Sequence, residues 1–304
     1  MYRKYAAVGI VHFMAYPETM RGTGPILESL SEIAEDPFFD AIEVGHIEDG
    51  ETRRSAARLL RQAHLRVGFG AQPMLLGGGH DLNSLDEKQR QQAVEVIRHA
   101  VDEAKELGAE RLALLSGPAP EDPIHRPDCI EALTDSLVRI CEYSGGELGI
   151  TLETFDGDID KCALVGNDHQ EAASVAKAVR GEGYDFGLLV DLSHLPQQRD
   201  TAAHALEATR EFLVHAHVGN CVLKKDNPAF GDKHPRFGIE EGENDVPELR
   251  EFLQVLAKIG FLNAKRPPML GFEVFPTDAE PPSVLIANAK RTFLQAWSGL
   301  EDIG

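Results

Sequence analysis

The stretch FGLLVDLSHLPQQRDTAAHALEATREFLVHAHVG, residues 186–219, holds two short apolar runs, FGLLVDL at 186–192 and LVHAHVG at 213–219, joined by a more polar segment. Runs that are apolar throughout read as strands buried on both faces, and such strands joined by a crossover read as parallel neighbours. Working outward, the same unit recurs along the chain. Further strand candidates are AAVGIVHF at 6–13, FDAIEVG at 39–45, LRVGFGA at 65–71, RLALLSG at 111–117, GITLETF at 149–155 and MLGFEVF at 269–275. Between them lie helix candidates, the clearest from Ser84 to Leu107. Asp86 caps it, Val94, Ile97, Val101 and Ala104 repeat at helical spacing, and Gly108 ends it. Strands alternating with helices imply a parallel sheet, and eight repeats favour a closed (β/α)8 TIM barrel over a doubly wound sheet. Residues 1–304 read as one domain. No GxGxxG follows the first strand, and GGGH at 77–80 lacks a phosphate-loop lysine, so no nucleotide cofactor is expected.

Composition narrows the function classes. Hydrophobic residues make up 42% and charged residues 26% of the chain, ordinary for a globular protein with a large core. No apolar run reaches membrane-spanning length and the N-terminus lacks a signal-peptide pattern, so a soluble, cytoplasmic protein with no membrane partner is expected. A net charge of -20 argues against nucleic-acid partners. Cys129, Cys141, Cys162 and Cys221 show no CxxC spacing and read as reduced structural thiols. A homo-oligomer or a small partner subunit stays open.

In a barrel of this kind, chemistry sits at the C-terminal ends of the strands. Strand five brings Glu153 there, strand six Asp191, strand seven His215 and His217, and strand eight Glu273. Each carboxylate interrupts an apolar run, where an unpaired charge costs several kcal/mol. One shared cation would compensate them all. Three carboxylates and an imidazole form a hard, oxygen-rich set, which favours Mn²⁺, with Mg²⁺ or Co²⁺ as alternatives. His215 and His217 share a face, and His217, nearer the strand's end, is the better ligand. His215 is then expected beside the substrate or behind the ligands.

At LETFD, DLSH, HAHVGN and GFEVF the chain resembles the xylose-isomerase-like superfamily of sugar isomerases and epimerases, over a span from strand one to about residue 278. That resemblance implies one divalent metal held by Glu153, Asp191, His217 and Glu273. The DxxH pair implies a substrate-binding role for His194. Two substrate-contact positions of the epimerase branch differ here, its arginine being Leu223 and its second glutamate Ile159. Other substrate contacts are therefore expected from Lys161, Glu43 and His46, and from His234 and Arg236 in the long segment 220–245. That segment, rich in Gly, Pro and basic residues, reads as a lid over the active face.

The chemistry expected is proton abstraction next to a carbonyl held at the metal, with Glu153 and Glu273 as acid and base and an enediolate between them. Return of the proton makes the protein a sugar isomerase or epimerase. A leaving group β to the carbonyl would make it a lyase on a keto-sugar, either a 3-oxo-glycoside deglycosidase or a dehydratase. A non-catalytic carbohydrate-binding barrel is the third possibility.

Overall fold

The computed structural model describes residues 2–277 and 280–301. Eight parallel strands form one sheet: β1 (Ala7–Ile10), β2 (Ala41–Val44), β3 (Arg66–Gly70), β4 (Arg111–Leu115), β5 (Gly149–Glu153), β6 (Phe186–Asp191), β7 (Leu213–Val218) and β8 (Met269–Phe272). Hydrogen bonding runs β1-β8-β7-β6-β5-β4-β3-β2. The two ends of that order meet, because Asp40 N–H donates to Val8 C=O at 2.9 Å and Val11 bridges Glu43 in parallel. The sheet is thus a nearly closed (β/α)8 barrel, as the eight apolar runs predict.

The strands are shorter than the apolar runs. The run at 269–275 pairs as β8 only to Phe272, although Glu273 N–H still donates to Val218 C=O at 3.0 Å. The ladder stops where the chain turns into the loops that carry the site. The long helix begins at Glu87 rather than Ser84, because the Asp86 side chain accepts from Lys88 and Gln89 N–H and sets the start. Gly108, at φ 77°, ends it in the left-handed conformation that glycine tolerates best.

Strand β7 carries an irregularity that matters for the site. Its register with β6 passes from Leu188↔Leu213 to Leu189↔His215, so Val214 is an extra residue on β7. A bulge of this kind re-aims the side chains beyond it. Beyond this one, His217 stands directly opposite Asp191 on one side and Gly271 on the other. A Cβ at position 271 would lie 2.9 Å from the His217 ring, so glycine there makes room for the imidazole.

Candidate metal centre

Glu153 ends β5, Asp191 ends β6, His217 lies one residue from the end of β7, and Glu273 follows β8. Their ligand atoms all lie within 4.8 Å of one another. Three of the four side chains have one polar atom committed to a neighbour. Glu153 Oε2 accepts from Gln72 Nε2 at 2.7 Å, Asp191 Oδ1 accepts from Ser193 N–H at 2.7 Å, and His217 Nε2 meets Glu43 Oε2 at 3.2 Å. The other atoms, Glu153 Oε1, Asp191 Oδ2, His217 Nδ1 and Glu273 Oε2, are buried without a hydrogen-bond partner. His217 Nδ1 and Glu273 Oε2 are only 2.6 Å apart, yet out of hydrogen-bond alignment. Four orphaned buried atoms converging on one point are what a cation would satisfy, and three oxygens with one imidazole nitrogen suit a hard divalent ion. The donor set fits the expected metal. The Glu43 contact suits His217 to that set, since a proton held at Nε2 would leave the Nδ1 lone pair free for a metal.

Electrostatics of the metal-free cluster agree with that reading. Burial, reinforced by the Glu273 charge, pushes the Glu153 carboxyl up to about 8. Burial disfavours ionisation of Glu273 as well, but the charges of His234 and His217 outweigh it and hold that carboxyl below the usual range. For His217, burial opposes the imidazolium, yet the Glu43 and Glu273 carboxylates raise it well above the ordinary value. A cation at Nδ1 would therefore have to displace a proton.

A second polar group adjoins the cluster and centres on Asp232, which no spacing in the sequence singles out. Its carboxylate meets His194 Nε2 at 3.0 Å, His234 Nε2 at 2.8 Å and Lys161 Nζ at 2.9 Å. Burial would raise its carboxyl, but the charges of His234 and His194 hold it well below the usual range. The same contact keeps Lys161 charged against burial. His194 Nδ1 donates to Thr154 C=O at 2.9 Å, which fixes the other side of that ring.

Above the cluster lies a cavity of about 510 Å³ whose lining includes Glu153, Glu273, Glu43, Gln72, Lys161 and Asp232. His46 and His234 also line it, and Glu103 holds His46 at 2.8 Å. Two expected substrate contacts stand elsewhere. His215 lies at the inner floor, 3.5 Å from Glu43 Oε2, and lines a different cavity at the base of the barrel, because alternation along the bulged strand leaves it two residues short of the mouth. Arg236 pairs with Glu280 at 2.8 Å and is not among the residues lining the cavity above the metal cluster. Gln72, like Asp232, joins the site without a sequence signal beyond its place just after β3.

The segment 220–245 is packed down. Cys221 and Phe237 are buried, Asn220 Oδ1 accepts from Asn244 N–H at 2.7 Å, and Asn244 Nδ2 donates to Leu192 and Gly219 carbonyls. Gly231 and Gly238, at φ 85° and 66°, form its turns. As placed, it is a wall of the site that delivers Asp232 and His234.

The model of the xylose isomerase-like TIM barrel family matches residues 32–295. The chain belongs to this family. A search of curated proteins finds no match. Among solved structures, a D-tagatose 3-epimerase-like protein superposes with a TM-score of 0.72 at 18% identity, covering 96% of this chain and 98% of that one. An IolI protein with a bound zinc atom gives 0.71 at 16% identity, covering 97% and 99%. A D-psicose 3-epimerase in the presence of D-fructose gives 0.68 at 14% identity, covering 96% and 97%. At these identities the likeness is one of fold.

Proposed function

We propose that this protein is a divalent-metal-dependent isomerase or epimerase of a keto-sugar. The observation that carries the proposal is the set of four unpartnered ligand atoms from Glu153, Asp191, His217 and Glu273, of which the Glu153 and Glu273 side chains line the cavity. When bound there, the cation supplies Lewis-acid chemistry that makes a C–H beside a carbonyl more acidic. Glu153 and Glu273 both line the cavity and are placed to move that proton. Lys161, held by Asp232, offers a fixed ammonium to the substrate's oxygens, and His194 and His234 are fixed by the same carboxylate.

Proton removal at one face and return at the other gives an epimer, and return at the neighbouring carbon gives an isomer. If the carbanion instead expels a group β to the carbonyl, the protein is a lyase on a keto-sugar. Phe13, Met74 and Phe275 in the cavity lining support that second reading, because an apolar wall can receive a leaving group that is not a sugar.

Incubation with Mn²⁺ and a panel of ketoses and 3-oxo-glycosides in D₂O tests the shared first step. Deuterium should enter recovered substrate or product, and Glu153→Gln should abolish its entry. A metal-loaded protein that exchanges no proton with any member of the panel would refute proton abstraction.

A further inference from the structure

The cavity over the metal cluster has two chemically distinct sides. One is mostly polar: Glu153, Lys161, Asp232, Lys233 and His234, with Phe155, come from β5 and from the loops that follow β5 and β7. The opposite side comes from the loops after β1 and β3, with a contribution after β8, which neighbours β1 in the barrel. Its lining side chains are Phe13, Met14, Met20, Met74, Leu76 and Phe275. The chain has only five methionines, so three of them gather at this one wall. Leu76 is 47% exposed at the edge of this wall. The wall's polar groups are engaged or at its edge. His46 is held by Glu103, Gln72 by Glu153 and Glu43 by His217, and Arg21 is an exposed residue at the rim.

A free ketose carries oxygen on every carbon. Hydroxyls pressed against Phe and Met lose water and gain no partner, which makes this wall a poor match for the far end of such a sugar. Thioethers and aromatic edges instead favour a flat apolar ring, and Met side chains adapt to rings of varied shape.

We propose that this wall is a subsite for an aromatic group attached to the keto-sugar, so that the substrate is an aryl-substituted keto-glycoside rather than a free monosaccharide. The proposal rests on the metal-and-carbonyl reading given above for the sugar end. The sugar carbonyl lies toward Glu153 and Glu273, and the ring lies between Phe13, Met74 and Phe275. Met74 and Leu76 belong to the short helix Gln72–Gly78, whose first residue holds Glu153, so one helix serves both halves of the cavity.

The test is calorimetric titration of the Mn²⁺-loaded protein with two 3-keto-glucosides that differ only in carrying 4-nitrophenyl or methyl at the anomeric position. The aryl compound should bind at least about 10-fold more tightly, and 4-nitrophenol alone should compete with it. In Met74→Gln and Leu76→Gln, which leave the metal ligands intact, the preference should fall below about 3-fold with metal content unchanged. Equal affinities, no binding of either compound, or an undiminished preference in both variants would overturn the subsite. Proton exchange in D₂O separates the two readings. Exchange with both sugars at equal kcat/KM would keep the proposed function and reject the subsite. An aryl preference without exchange would keep the subsite and reject the function.

Discussion

At the base of the barrel, where the strands begin, Arg66 lies 2.7 Å from Glu110 and Arg111 lies 2.9 Å from Asp185. Arg111 also donates to Thr151 Oγ1 and Ile150 C=O, and Arg180 donates to the carbonyls of Phe186 and Glu211. These groups surround a cavity of about 420 Å³, comparable with the one at the mouth. At the mouth, by contrast, Glu153, Asp191, His217 and Glu273 each leave a buried atom without a partner. Cavity size does not separate the two ends, and neither does the number of ionisable groups. What separates them is that four unpartnered buried atoms meet at the mouth, against the single His215 Nε2 among the residues lining the base cavity, and a buried cluster left incomplete is a place for a ligand.

Substitution at the mouth should have the largest effect. Glu153→Gln or Asp191→Asn should strip most of the metal and lower turnover by on the order of 10³-fold, checked by elemental analysis and proton exchange. The wild-type protein should gain thermal stability with Mn²⁺ and the variants should not. Metal-free Asp191→Asn should melt no lower than metal-free wild type, because a buried charge facing the Glu273 carboxylate has gone. A metal-free wild type with full activity would break the contrast between the two ends.

His12, just beyond β1, sharpens it from another side. Its Nε2 meets Ser29 Oγ at 2.8 Å, and burial lowers its pKa from 6.5 to about 4. The folded protein therefore refuses a proton that the unfolded chain accepts. Stability contributed by the neutral ring is intact above pH 6.5 and is lost as pH falls toward about 4, by on the order of 3 kcal/mol. Denaturant titrations across that window should show a shallower decline in His12→Gln, and an unchanged slope would count against the assignment. Buried His215 shifts in the same direction and adds to the background slope.

At the base, Arg111→Ala should cost about 2 kcal/mol of stability through lost charged hydrogen bonds, with the expense softened because Asp185 can return to water. Metal content and kcat should not change. Loss of metal in this variant would show that the two ends are coupled through the barrel rather than separate.

Much of this protein was legible before folding was considered. The eight strands announced themselves as apolar runs because both faces of a barrel strand are buried, and Asp86 and Gly108 marked a helix because capping is local chemistry. Glu153, Asp191, His217 and Glu273 stood out as charges breaking those runs, and their common destination followed from their shared place at strand ends. Three matters belonged to the tertiary structure alone. Asp232 reaches His194 across 38 residues and Lys161 across a separate loop, contacts with no periodicity to betray them. The bulge at Val214 decides that His217 faces Asp191, while His215 stays at the floor. Arg236 looked like a substrate contact by its loop and charge, yet Glu280, some forty residues on, takes it. Period and capping are set within a few residues, whereas the partner of a loop side chain depends on where distant segments come to rest, and only the closed barrel settles that.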